Sequence, residues 1–241
     1  MSIPASEITT AQNAFFERLQ AFRERFGTNG ALLKSLDTLL HKLLGISIFT
    51  VVWLDVDSLA AMPDPGPEFE FRFLTADEVA RYAADPAYYI EPVMADRVRD
   101  GREVCFAALA GDRLAAFGFY ALHFIEPRHA SGVAMSFPPH VAFMTYGLTH
   151  PDFRGARLHG HIMGRALQQL GARGITTFAS LVARSNLASL KSCYRLGYES
   201  LGNMKIVGGK QHSIGIYPPA AKARGIRFGR KALLETPRIV Y

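Results

Sequence analysis

Two cysteines in 241 residues, Cys105 and Cys193, supply neither a disulfide framework nor a zinc-ligand spacing. That scarcity suits a reducing compartment, and the cytoplasm is the expected location. Long hydrophobic runs are missing as well. The best, Ile46 to Leu54, has strand length and falls far short of the ~20 apolar residues that cross a bilayer. The opening residues Met1 to Glu7 lack the basic and apolar regions of a secretory signal, so none is expected. There is no internal repeat and no low-complexity tract. What remains is a folded globular composition, 49% hydrophobic and 20% charged.

Acidic residues are scarce at one end only. From residue 201 onward Glu235 is the single acid, against eight Lys or Arg: Lys205, Lys210, Lys222, Arg224, Arg227, Arg230, Lys231 and Arg238. The first 200 residues hold 19 basic and 20 acidic side chains, so the net charge of +6 sits in the C-terminal strip. Such a strip suits an anionic ligand, a nucleic acid or an anionic membrane surface, or it is a solvated tail.

Hydrophobic periodicity divides the chain. Ser6 can cap a helix to residue 26 carrying Phe15, Leu19, Phe22 and Phe26; Gly27-Thr28-Asn29-Gly30 breaks it. A second leucine stripe runs from Leu32 to Leu44 and stops at Gly45. Two such helices form a hairpin that must pack on the rest of the chain or in a homodimer. Ile46 to Val56 reads as a strand, and Pro63-Asp64-Pro65-Gly66-Pro67 as a boundary. Beyond it come a strand at Phe69–Phe73, a helix capped by Thr75, and a helical stretch from Pro86 to near Gly101. A hairpin follows, with strands Cys105–Ala110 and Leu114–Phe124, then a loop over 125–140. Strand 141–149, helix 158–170, strand 175–182, helix 187–196 and strands 198–207 and 211–217 complete the order. The expected fold is α/β (α+β), a mixed sheet with helices on both faces. The expected division is 1–66, helical hairpin plus strand; 67–217, main domain; and 218–241, basic tail.

The informative stretch is Thr145-Tyr146-Gly147-Leu148-Thr149-His150-Pro151-Asp152-Phe153-Arg154-Gly155-Ala156-Arg157-Leu158-His159-Gly160. A strand enters a short Arg/Gly turn and a helix follows at once. The first helical turn leaves backbone N–H groups unpaired at the positive end of the dipole, where a phosphate group is stabilised. Gly147 interrupts an otherwise good strand, as at a bulge or where a ligand approaches the backbone.

His150-Pro151-Asp152-Phe153-Arg154-Gly155 before an apolar helix resembles the acetyl-CoA-binding motif of the GNAT superfamily of N-acetyltransferases. Asn186-Leu187-Ala188-Ser189, with Leu196-Gly197-Tyr198 at the family's spacing, resembles its second motif. The resemblance spans about 150 residues, and two spaced motifs are more specific than one. It implies a GNAT-type sheet, central and largely antiparallel, with an added N-terminal hairpin and strand. It also implies acetyl-CoA or another acyl-CoA as co-substrate, a small-molecule amine as acceptor, and no metal.

In this likeness pantetheine lies along Gly147, Leu148 and Thr149. The pyrophosphate sits on the backbone of Arg154, Gly155, Ala156, Arg157, Leu158, His159 and Gly160, with Asn186 and Ser189 beside the arm. The chain departs from the family pattern twice. Arg157 and His159 stand where glycines are usual, and the position of the family's thiolate-protonating tyrosine holds Cys193, with Tyr194 one residue later. The catalytic candidates are therefore Tyr194, Cys193 and Tyr146. His123, Glu126, Glu91 and His150 are further candidate bases by type.

His150, His159 and His161 do not read as a metal site: the last two lie on different sides of a helix and no carboxylate or thiolate is spaced to complete one. Two rival readings accompany the acyltransferase. One is a GNAT-like module that binds CoA or another anion without turnover. The other is a nucleic-acid or membrane-surface binder using the basic strip; for the acyltransferase, no nucleic-acid partner is expected.

Overall fold

The computed structural model describes residues 30–126, 133–208 and 213–230. The first helix of the expected hairpin, over 6–26, lies outside the described residues. The second is α1, over 30–44, which ends at Gly45 in a left-handed conformation (φ 64°) with its amide on the His41 carbonyl.

β1 (Ile46–Asp55) follows, then β2 (Glu70–Leu74), α2 (Ala76–Ala83) and α3 (Pro92–Arg99). The Thr75 side chain and the Glu78 carboxylate cap α2 reciprocally. The helical stretch expected over 86–101 is interrupted: Tyr89 takes a positive φ of 51° between a 3₁₀ turn and α3. β3 (Glu103–Ala110) and β4 (Arg113–Ala121) form the expected hairpin. The second strand stops at Ala121, short of the expected Phe124; β5 (Phe124–Ile125) straddles the start of the stretch expected as a loop, and β6 (Val133–Ser136) lies within it. Then come β7 (Val141–Thr149), α4 (Leu158–Gly171), β8 (Thr177–Ala183), α5 (Leu187–Arg195), β9 (Glu199–Gly208), β10 (Ser213–Ile216), α6 (Pro219–Ala223) and β11 (Arg227–Arg230).

Eight strands make one sheet in the order β10-β9-β1-β8-β7-β4-β3-β2. Within it β7 and β8 run parallel, joined by the α4 crossover, and the other pairings are antiparallel. β1 lies between β8 and β9, with Val51, Val52, Trp53 and Leu54 no more than 2% exposed. Its near-continuous apolar run is what a strand covered on both faces needs. On one face Val52 and Leu54 meet α4 and α5 in the largest core. On the other, α2 and α3 cover β3 and β4, while Val51 and Trp53 pack beneath a small sheet of order β11-β6-β5.

Of the basic strip, residues 201–208 and 213–230 are folded, where a tail was expected from 218: α6 buries Ala221 and Ile226 follows it into the core. Arg224 is bound at 3.2 Å to Asp55 and at 2.7 Å to Glu199, and it stacks on Trp53. Charge counting could not see this, because the partners lie over 20 and over 160 residues away in sequence. No helix among the described residues is long and apolar enough to cross a membrane.

Candidate active site at a strand fork

β7 and β8 pair only from Val141–Thr177 to Met144–Ser180. Beyond that point β8 stays with β1 and β7 stays with β4, so the two parallel strands part. Ser180 closes the apex, its hydroxyl donating to the Met144 carbonyl at 2.9 Å. The fork opens at the carboxyl ends of parallel strands, beside the start of α4, the usual ligand crevice of such sheets.

A β-bulge shapes the fork. Phe119 pairs with Tyr146 and Tyr120 with Met144, which leaves Thr145 as an extra residue. The insertion turns the alternation over: Met144 faces α4, whereas Tyr146 and Leu148 pack towards the cluster under α3. Gly147, Leu148 and Thr149, each partly exposed, form the limb of the fork beyond the bulge.

The turn into α4 is anchored on its upstream side. The Arg113 guanidinium bonds the Asp152 carboxylate, holding that carboxyl below its usual range, and lies 4.9 Å over the Phe153 ring. His150 Nδ1 accepts from the Asp152 amide, and Phe153 packs edge-on against Phe69. Past this anchor Arg154 is exposed, Gly155 has φ 100°, and Arg157 has φ 54°. Arg157 thus adopts the left-handed conformation that glycine takes most easily, at a cost of about 1–2 kcal/mol. The amides of residues 155–159 donate to no group among the described residues. Gly160 is different: its amide donates to the Arg157 carbonyl at 2.9 Å and its Cα faces Met62 and Leu196. Arg154 and Arg157 form no ion pair among the described residues, so both guanidinium charges stand beside the turn.

His159 points inward. A Cβ built on Gly147 would lie 3.2 Å from His159 Cε1 and would collide with the Met144 methyl. Gly118, paired opposite Gly147, has Tyr120 Oη 2.8 Å and Met144 Cε 3.1 Å from its own Cβ position. Tyr120, His159 and Met144 therefore gather over two bare glycines beneath the first turn of α4. The Tyr120 ring stacks on Phe178, is fully buried, and its hydroxyl finds no hydrogen-bond partner among the described residues. Burial lowers the His159 pKa from 6.5 to about 4 and raises that of Tyr120 well above 10. His161, two residues on, lies near Phe71, away from His159. Among the described residues no group of three or more His, Cys, Asp or Glu could hold a metal ion.

The remaining candidates divide. Asn186 caps α5, its side-chain oxygen accepting from the Ser189 amide at 3.3 Å, so helix capping accounts for both residues locally. Cys193 faces the core, and burial pushes its thiol up to about 11. Tyr194 stands on the outer face of α5, 47% exposed. On the opposite side of the sheet from α4, Glu103 was not singled out by the sequence: it is 4% exposed, bonds Arg97 Nη1 at 3.2 Å and accepts from the Thr145 hydroxyl at 3.4 Å. Burial raises its carboxyl, against the pull of Arg97. A lone acid opening an apolar strand was the sequence signal for it.

The parallel pair β7 and β8 thus forks beside a glycine turn and the N-terminus of α4. No protein-family model matches the chain, and no curated protein sequence matches it. Solved structures that it resembles include a protein from Novosphingobium aromaticivorans assigned to the GNAT family of acetyltransferases (18% identity, 66% of this chain and 62% of that one, TM-score 0.44). A GNAT-family acetyltransferase from Colwellia psychrerythraea is similar at 12% identity, over 66% and 55% of the two chains, with TM-score 0.47. AAC(6')-Iy, in complex with the bisubstrate analogue CoA-S-monomethyl-acetylneamine, is similar at 17% identity, over 54% and 90%, with TM-score 0.43. The match spans about three fifths of the first of these proteins and about half of the second. The likeness is one of architecture.

Proposed function

We propose that this protein is an acyl-CoA-dependent N-acyltransferase, in its simplest form an N-acetyltransferase, passing the acyl group from the thioester directly to a small-molecule amine. The observation that carries this reading is the fork between β7 and β8 leading into the turn 154–159. A pantetheine arm can add along Gly147, Leu148 and Thr149, where β7 has lost its partner. The pyrophosphate then meets the amides of residues 155–159, the positive end of α4, and the charges of Arg154 and Arg157. The amine attacks the thioester carbonyl; its proton leaves, the C–S bond breaks and the thiolate takes up a proton. Holding both reactants in the fork, with donors near the carbonyl oxygen, supplies the rate. Tyr194 and Cys193 are the candidates on α5 for protonating the thiolate, and Tyr146 lies on the same limb as the arm.

A second reading, CoA binding without turnover, is favoured by the inward ring of His159, which narrows the fork at Gly147. Calorimetric titration with acetyl-CoA tests what the two readings share. Arg154→Ala removes a phosphate charge, and Gly155→Pro removes a donor and forbids φ 100°, so each should weaken binding at least tenfold. Unchanged affinity in both variants removes the phosphate cradle. Thioester consumption with a panel of amines then separates turnover from binding.

A further inference from the structure

The outer surface of α1 is apolar where a solvent-facing helix is normally polar. Leu32, Leu36, Leu39 and Leu43 are 64%, 46%, 53% and 71% exposed. Their spacing of four, three and four residues is that of a heptad seam. On a different face, roughly 100° away around the helix, an ion pair ties α1 to the domain. There Leu33 and Leu40 are half-buried, and Asp37 accepts from Arg184 Nε at 2.7 Å. The seam is therefore not what attaches the helix to the sheet.

A second apolar row begins at the strand that follows α1. After Gly45, Ile46 enters a cross-strand row with Val207 of β9 and Ile214 of β10. β10 is an outermost strand of the sheet, and its Ile214 and Ile216 are 70% and 58% exposed. Two strand spacings, about 10 Å, separate Ile46 from Ile214. From the area equivalent of a buried aliphatic side chain, the four leucines and two isoleucines offer on the order of 400–500 Å². Together they amount to about half of the roughly 800 Å² each partner gives to a specific interface.

We propose that α1 is a dimerisation helix, whose leucine seam packs antiparallel against the same seam of a second copy of this chain about a two-fold axis. Such an axis sets a patch against itself, and a heptad seam is complementary to its own copy. In the antiparallel arrangement Leu36 of one copy meets Leu39 of the other. The two copies of Lys42, which flanks the seam, then lie at opposite ends, whereas a parallel pair would bring them together. The exposed Ser35, Thr38 and Lys42 beside the seam supply a polar rim.

Sedimentation velocity of the full chain over a hundredfold concentration range reads the outcome. The expected result is a species of twice the chain mass. Leu36→Glu and Leu39→Lys should each give a monomer with unchanged far-UV circular dichroism, because both side chains are exposed. Mixing the two variants should restore a dimer, since position 36 faces position 39. A wild-type monomer throughout the range, as when the chain's own segment ahead of residue 30 covers the seam, overturns the proposal. So does a Leu36→Glu variant that stays dimeric. A mixture that stays monomeric overturns the antiparallel arrangement.

Discussion

His159 lies against the bare backbone of Gly147, its Cε1 3.2 Å from where a Cβ would stand. The glycine that reads in the sequence as room for a ligand also makes room for a side chain of the same protein. The residue is half-buried, and its Cε1 faces the Gly147 backbone.

A pH dependence follows from that burial. The unfolded chain takes up a proton on His159 near pH 6.5, the folded protein only near pH 4, because burial disfavours the cation. The stability this neutral ring contributes is complete above about pH 6.5 and is lost as the pH falls towards 4. Urea midpoints measured from neutral pH down to about 4.5 should therefore decline more steeply in the wild type than in His159→Gln. Parallel declines would mean that the folded ring protonates as readily as a free one.

Removing the N-terminal segment should unfold the protein. A chain starting at Glu68 lacks β1, the strand between β8 and β9, and with it the buried Val52, Trp53 and Leu54. Each such side chain contributes about 1.5–3 kcal/mol on burial, and a domain holds only about 5–15 kcal/mol in reserve. Loss of cooperative thermal unfolding in the truncated chain is the expected result. A soluble truncated chain with a sharp transition would show that the sheet closes without β1.

Tyr120→Phe should leave stability unchanged or raise it. The hydroxyl is fully buried without a partner among the described residues, so the folded state already bears its desolvation, about 1–3 kcal/mol. The ring, stacked on Phe178 at 4.5 Å between centroids, is retained. Differential scanning calorimetry should show a Tm equal to or above that of the wild type. A fall of several degrees would mean that the hydroxyl has a partner in solution.

The local signals were legible because they are set within a few residues. Thr75 and Glu78 form a capping box, Gly111 turns the β3–β4 hairpin with φ 58°, and Asn186 caps α5, all readable as residue types at fixed offsets. The Arg/Gly turn before α4 was equally plain, since Gly155 and the helix start lie within four residues. What surrounds that turn was not. The apolar run Ile46–Leu54 announces a strand covered on both faces, yet nothing in it names β8 and β9 as neighbours. β6 finds its partner in β11, some 90 residues later, so a proline-flanked segment that reads as loop becomes a strand. The bulge at Thr145, the inward ring of His159 and the burial of Glu103 likewise depend on which strand lies alongside. Propensity, capping and periodicity by themselves determined the longer helices and strands, because backbone geometry and solvent act on each segment separately. Only the tertiary structure decided the fork, its occupants and the place of β1, because pairing and burial are settled by the packing of the whole chain at once.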